Sequence, residues 1–326
     1  MGHTIFNDKS ILITGGTGSF GRRLIRTILQ HASPKKVVVF SRDEWKQSEM
    51  KKEIADKRMR YLLGDVRDLQ RLQRAFRGID IVIHAAALKQ VDTLEYNPFE
   101  AVLTNVIGGQ NIINAAIDQG VERVVALSTD KAVNPANLYG ATKLCAEKLF
   151  VDGNAYSGDH PTRFCVVRYG NVVGSRGSVV PLFRQKAKSG LLPITDDKMT
   201  RFWITLDKSV ELVEYALENM HGGEIFIPKI PSMKVTDLAK AISPDCKTEI
   251  IGKRPGEKLH EALMTDEEIH RTVDAGPHYV IRPQLKWWSG GNWDKNKALP
   301  EGFEYTSDTN TEWLDASGIQ EMLKTV

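Results

Sequence analysis

The chain has 326 residues, 41% hydrophobic and 26% charged, and its 44 basic and 41 acidic side chains leave a formal net charge of +3. That length suits one large α/β core with a smaller lobe. The near-balanced charge argues against nucleic acid as a partner, and no run approaches the roughly 20 apolar residues of a membrane span. The polar segment 1–10 has no apolar signal region, so a cytoplasmic protein is expected. Cys145, Cys165 and Cys246 are odd in number and widely spaced, with no CxxC pair or His/Cys cluster. Reduced, mostly buried thiols and no metal are expected.

In chain order, residues 10–14 (SILIT) read as a strand and 20–29 as a helix with Phe20, Leu24 and Ile28 on one face. Further apolar, β-branched runs follow at 36–40, 59–63, 79–84 and 123–128. They are too continuous for a sheet with one wet face, so helices should cover both faces. Strand–helix alternation of this kind predicts an α/β fold with a doubly wound parallel sheet of the Rossmann type. The texture changes near Gly170, where Gly- and Ser-rich sequence precedes Pro181. Residues 1–170 are expected to form the dinucleotide-binding domain, with return segments near 203–228. Residues 171–326 are expected to form an interleaved, loop-rich, smaller substrate lobe containing Trp287, Trp288, Trp293 and Trp313. The segment 290–326 suggests no function.

Directly after the first strand comes TGGTGSFG, with Gly15, Gly18 and Gly21 in GxxGxxG spacing. One glycine makes the tight turn, one lets backbone approach a pyrophosphate, and one lets helix pack on strand. Thr17, Ser19 and Phe20 complete a dinucleotide-binding turn. The second strand ends at Ser41-Arg42, with Lys46 one helical turn beyond. A basic residue here accommodates the NADP phosphate, whereas an acid would bind the NAD ribose, so NADP is favoured. Asp43 and Glu44 cut the other way, and a solvated Arg42 is the ordinary alternative. Asp65, with Val66 beside it, ends the third strand and can accept from an adenine amine; a helix N-cap is the alternative. Ala85 and its small neighbours let a cofactor approach the fourth strand, and His84 reads as a satisfied core histidine.

Tyr139 and Lys143 form a YxxxK pair that shares one helix face. A lysine beside the phenol favours its ionised form, and it can also hold a nicotinamide ribose. The fifth strand delivers Thr129, Asp130 and Lys131 to the carboxyl edge of the sheet, where ligands of open α/β folds bind. Thr129 can hydrogen-bond a substrate hydroxyl; Asp130 and Lys131 are an adjacent acid and base. A strand-end turn with solvated charges is the structural alternative.

TGGTGSFG, HAAALKQVD, STDKAVNPANLYGATK, RYGNVVGSRGSVVPLF, MTRFWITL and KRPGEKLHEALMT span nearly the whole chain. Together they resemble the soluble, inverting UDP-N-acetylglucosamine 4,6-dehydratases of the extended short-chain dehydrogenase superfamily, which serve the pathway toward pseudaminic acid. Dehydratases acting on glucose show Thr-Asp-Glu where this chain has Lys131 third, and membrane-anchored retaining relatives have methionine in place of Tyr139. The resemblance implies NADP as cofactor, UDP-N-acetylglucosamine as substrate and a homo-oligomer. It implies that Tyr139 takes the O4 proton, Lys131 as a neutral amine takes the C5 proton, and protonated Asp130 assists departure of the C6 hydroxyl. Burial and Lys143 are expected to depress the Lys131 pKa. Asn171 and Lys89 are expected near the sugar or diphosphate, Arg201 and Arg254 as a diphosphate clamp, and Glu257 on the uridine ribose. A nucleotide-sugar 4-epimerase would share the cofactor site and YxxxK pair without needing Asp130-Lys131. A non-catalytic binder of NADP and UDP-sugar is the remaining alternative.

Overall fold

The computed structural model describes residues 3–175, 177–284 and 293–325. Trp287 and Trp288 lie outside the described residues. Strands β1 (Ser10–Thr14), β2 (Lys36–Ser41), β3 (Met59–Leu63), β4 (Ile81–His84), β5 (Arg123–Thr129) and β6 (Arg163–Tyr169) pair in parallel in the order β3-β2-β1-β4-β5-β6. Every residue of β1 and β4 is buried. Helices Ser19–His31, Gly108–Gln119, Leu138–Asp152 and Leu206–Asn219 alternate with or flank these strands, as a sheet buried on both faces requires. The strand order reverses between β1 and β4, the crevice where such folds bind ligands.

After β6 the chain forms β7 (Asn171–Val172), β8 (Leu191–Ile194), β9 (Thr200–Ile204), β10 (Ile225–Pro228), β11 (Ser232–Lys234), β12 (Lys247–Ile250), β13 (Thr272–Asp274), β14 (His278–Ile281) and β15 (Lys297–Ala298). Strand β10 returns to the first sheet, parallel to β6, and β14, β13 and β15 extend that edge antiparallel. The sheet is therefore mixed at one edge. A short turn through Gly276 joins β13 to β14, a connection available only to antiparallel neighbours. Strand β9 instead pairs with β7 and β11 in a separate three-stranded sheet.

The lobe has its own core, in which Phe183, Leu192, Trp203, Met233 and Leu238 are buried with Ile319. Ile319 belongs to the helix Ala316–Leu323, so the C-terminal segment has a packing role. Trp293 is buried and its indole N–H donates to Glu224 at 3.3 Å, whereas Trp313 is exposed. The three cysteines are free, but only Cys165 is buried; Cys145 is exposed and Cys246 half-buried. Thiols are thus less buried than expected, because Cys145 lies on a face of the Leu138–Asp152 helix turned from the sheet. Among the described residues, no helix is long and apolar enough to cross a membrane, and no group of three or more metal-ligating side chains gathers.

Candidate active site

A cleft of about 710 Å³ lies along the carboxyl ends of β1, β2, β4 and β5. Every residue expected at the cofactor lines it. Gly15 turns the chain with φ +65°, and its N–H donates to the Phe40 carbonyl at 2.9 Å. A Cβ there would lie 2.9 Å from the Ala85 carbonyl oxygen, so only glycine fits this approach. The helix Ser19–His31 follows with Gly18 as its N-cap, which provides no side chain for the first-turn amides. Those amides and the helix dipole suit a pyrophosphate. Further along the cleft, the buried hydroxyls of Thr104 and Ser128 have no partner among the described residues, which also fits a polar ligand.

Arg42 is half exposed, and its guanidinium lies 3.5 Å from Asp65. Lys46 sits in the first turn of the helix Glu44–Glu53 and pairs with Asp43, the N-cap. Asp65 accepts from the Arg67 side chain at 2.7 and 3.0 Å and from its backbone N–H at 3.0 Å. Burial raises its pKa, but these bonds lower it further than burial lifts it. The helix-cap alternative for Asp65 fails: Asp68 caps the Leu69–Ala75 helix, accepting from Arg71 N–H at 2.9 Å. Asp65 lies three residues too early for that bond. His84 is buried and bonded to Thr14 Oγ1 at 2.8 Å. Thr14 Oγ1 also accepts from the Ala85 and Ala86 N–H groups, so its own proton goes to His84 Nδ1. Burial, aided by Lys143, pushes the imidazole down to about 3 and keeps it neutral.

Strand β5 ends at Thr129, and a 3-10 turn carries Asp130 and Lys131. Asn137 caps the next helix, Leu138–Asp152, by accepting from Gly140 N–H at 2.8 Å. This helix packs tightly on the turn, since a Cβ at Gly140 would lie 2.1 Å from the Lys131 carbonyl oxygen. Tyr139 and Lys143 consequently face the same cleft as Thr129 and Lys131. Asp130 is completely buried just behind. Its Oδ1 accepts from Thr129 Oγ1 and Lys131 Nζ, both at 3.0 Å, while Oδ2 has no partner among the described residues. Burial raises its pKa, against the pull of Lys131.

The expected depression of Lys131 does not occur. Burial works in that direction, but Asp130 at 3.0 Å and Glu261 at 3.5 Å outweigh it and raise the pKa. Lys143 donates to the Leu127 carbonyl at 2.7 Å, and burial, opposed by Glu147, lowers its pKa to about 8. Burial raises Tyr139 to about 12; the cation that eases its ionisation is Lys131, where Lys143 was expected.

On the substrate side, Lys89 and Asn171 line the cleft, and Asn171 Oδ1 accepts from Lys131 Nζ at 3.3 Å. Burial and the Lys131 charge lower the Lys89 pKa. Arg201 departs from expectation. It is buried in β9, and its guanidinium donates to the carbonyls of Thr200, Leu259 and Lys258 at 2.7–3.0 Å. Three of its five N–H donors are thereby spent on backbone carbonyls, and Arg201 does not line the cleft. Arg254 is exposed and Glu257 half-buried, beyond the cleft wall, on a turn where Arg254 N–H donates to Glu257 at 3.1 Å. That turn is tethered to the catalytic helix, because Asn137 Nδ2 donates to the Gly256 carbonyl at 2.9 Å. Two features escaped the sequence reading. Glu261 reaches Lys131 from about 130 positions away. Arg168 is buried between Glu147 and Glu268, at 2.6 and 2.8 Å. Glu261 lies inside the KRPGEKLHEALMT motif, which was the local signal for it, but it was given no role there.

This sheet, glycine turn and Tyr–Lys pair at the crevice define an extended short-chain dehydrogenase-type enzyme with a nicotinamide cofactor. The chain belongs to the polysaccharide biosynthesis protein family, which matches residues 11–283. A relative from Campylobacter jejuni, UDP-N-acetylglucosamine 4,6-dehydratase (inverting), is 50% identical over 98% of both chains. A UDP-glucose 4-epimerase from Rickettsia conorii is 42% identical over 99% of this chain and 97% of that one. The crystal structure of Pen from Bacillus thuringiensis superposes with a TM-score of 0.90 at 40% identity, covering 99% of this chain and 100% of that one.

Proposed function

We propose that the protein is an inverting UDP-N-acetylglucosamine 4,6-dehydratase that makes a UDP-2-acetamido-2,6-dideoxy-hexos-4-ulose. The observation that carries this reading is the Asp130–Lys131 pair, hydrogen-bonded at 3.0 Å beside Tyr139. An epimerase needs the phenol and the cofactor, but neither an acid for the C6 hydroxyl nor a base for C5. The 50% identical dehydratase supports the same choice.

The glycine turn and Lys143 would hold a nicotinamide that supplies the hydride chemistry, accepting at C4 and donating at C6; the enolate left by that donation would take a proton at C5 from the opposite face, which gives the inversion. Tyr139 accepts the O4 proton, and Lys143 would hold the nicotinamide ribose. Lys131 removes the C5 proton once the C4 ketone has acidified it. Asp130 protonates the departing C6 hydroxyl, which leaves as water. Elimination therefore needs the shared proton on Asp130 beforehand and leaves Asp130 anionic and Lys131 cationic. The two carboxylates beside Lys131 favour that latter state, burial of Asp130 works against it, and their 3.0 Å hydrogen bond offers a route for the proton to move back.

NADP is the proposed dinucleotide, because Ser41 and Arg42 stand at the strand end where an NAD site usually has an acid. Competitive titration with NADP and NAD tests that choice. Lys89 and Asn171 are assigned to the sugar diphosphate, and Arg254 and Glu257 to the uridine diphosphate end. Tyr96, Phe99 and Ile107 are 89%, 66% and 44% exposed on consecutive short helices between Val91 and Ile107, which supports self-association; light scattering reads it directly. The product is assigned to surface-glycan synthesis of the pseudaminic acid type.

The deciding experiment is mass spectrometry of UDP-N-acetylglucosamine incubated with the purified protein and no added reductant. A product lighter by one water, with deuterium at C5 in heavy water, is expected. The relatives that carry the epimerase name favour one second reading, 4-epimerisation. Unchanged mass with an altered C4 configuration would establish that reading and overturn the dehydratase.

A further inference from the structure

Glu261 is 3% exposed and belongs to no part of the chemistry described so far. Its backbone is fixed from two sides: its N–H donates to Ser307 Oγ at 2.9 Å, and its carbonyl accepts from Ser307 N–H at 2.7 Å. A β-bridge between Ala262 and Thr306 extends the same attachment. The carboxylate faces Lys131 at 3.5 Å, Lys258 at 3.4 Å and Arg201 at 3.8 Å. The buried Arg201 is in turn held by three backbone carbonyls, so it cannot swing away to a ligand without breaking them.

Lys131 thus stands between two carboxylates, Asp130 on one side and Glu261 on the other. Asp130 comes from the first domain's sheet edge and Glu261 from the lobe. We propose that Glu261 is the positioning residue of the acid–base pair: its buried carboxylate holds Lys131 against Asp130 and sets the pH range in which the two share a proton. The inference rests on the dehydratase reading and adds a third member to its machinery. Arg201 and Lys258 then take a definite role, because they keep Glu261 ionised inside the protein. Direction of charge supports this. Glu261 raises the pKa of both Asp130 and Lys131, while Lys131, Arg201 and Lys258 together hold Glu261 itself below the usual carboxylate range despite its burial.

The groups facing the pair are Glu261 and Lys258 from the lobe segment, Arg201 from β9, Lys89 from the loop after β4 and Tyr139 from the catalytic helix. Removing one negative charge from this set makes both Asp130 and Lys131 easier to deprotonate, whichever of them holds the proton in the productive state. Both limbs of a bell-shaped pH profile must then move the same way, toward acid.

The test compares kcat and kcat/KM against pH for the wild type, Glu261→Gln and Glu261→Asp, with UDP-N-acetylglucosamine and the dinucleotide supplied. Glu261→Gln is expected to lose turnover and to shift both limbs down by at least about one pH unit. Glu261→Asp, which keeps the charge, should restore the limbs even where its rate stays low. A folded Glu261→Gln protein whose limbs coincide with those of the wild type overturns the proposal. Should Glu261→Gln not fold, Lys258→Met carries the test, because losing a cation that keeps Glu261 ionised weakens the carboxylate's field on the pair and must move both limbs down; unmoved limbs overturn the proposal equally. A wild type that releases no water from the substrate is a different result, since it overturns the dehydratase reading itself.

Discussion

A single 3.0 Å hydrogen bond joins Asp130 to Lys131, and the elimination turns on which of the two holds its proton. The aspartate is fully buried, so its neutral form costs little, while the lysine is kept cationic by two carboxylates. Replacing Lys131 by alanine removes the base and leaves the glycine turn and the Tyr139–Lys143 pair in place. Lys131→Ala is therefore expected to lower turnover by about 10²–10⁴-fold with dinucleotide affinity unchanged. Wild-type turnover in that variant would remove Lys131 from the mechanism. At this scale the sequence was legible where residues act close in the chain. Tyr139 and Lys143 are four apart on one helix, and Asp130 and Lys131 are neighbours at a strand end. It was misleading about their electrostatics, because the Asp130 charge, reinforced by Glu261 from the folded lobe, outweighs the burial of Lys131. Arg201 misled for the same reason: a motif arginine reads as a phosphate clamp until its carbonyl partners are known.

The helix Leu138–Asp152 places the phenol and amine, and its inner face is held by more than the sheet. Glu147 on this helix, Arg168 on β6 and Glu268 in the short helix Asp266–Ile269 form one buried ionic cluster. Such a cluster costs desolvation, and breaking it by removing one member leaves a buried unpaired charge. Burial pushes the Glu268 pKa up, but Arg168 and the backbone N–H of Thr265 more than offset this and bring it to about 2 from a model-peptide value of 4.5. A carboxylate with a depressed folded pKa adds stability that is complete above its unfolded pKa and disappears as pH falls through the folded one. Glu268 should thus contribute about 3 kcal/mol at neutral pH, fading between about pH 4.5 and about pH 2. Denaturant melts of the wild type and Glu268→Gln should be far apart at pH 7 and converge as pH falls through that window. A pH-independent gap would show that the ion pair is not the source. The cluster was invisible in sequence because its three members lie on elements separated by up to 121 positions (147 to 268). The parallel strands β1 to β5, by contrast, were readable because each is a short apolar run bounded by turn residues, whereas β6 was not read from the sequence.

The molecule as a whole has two cores that share one cleft. The first surrounds the large sheet, and the second is closed by the helix Ala316–Leu323, where Ile319 is 1% exposed. Sequence alone assigned that last segment no purpose, since the single i, i+3, i+4 face of Ile319, Met322 and Leu323 is too short to interpret until a partner surface exists. In the fold they pack on the helix Val235–Ile242, which follows β11 directly, and β11 pairs with β9, the strand that carries Arg201. The segment carrying Glu261 spans both cores, with Leu259 packed on the lobe core and Leu263 and Met264 in the first, while the glycine turn and the strand ends that receive the dinucleotide belong to the first core alone. Ile319→Ala should cost about 2–5 kcal/mol of packing, confined to the lobe. Two ligands then separate the cores: dinucleotide affinity should stay near the wild-type value, while UDP affinity and turnover both fall. Equal losses for both ligands would mean that the two cores unfold as one unit, and that the lobe is an integral part of the dinucleotide-binding fold.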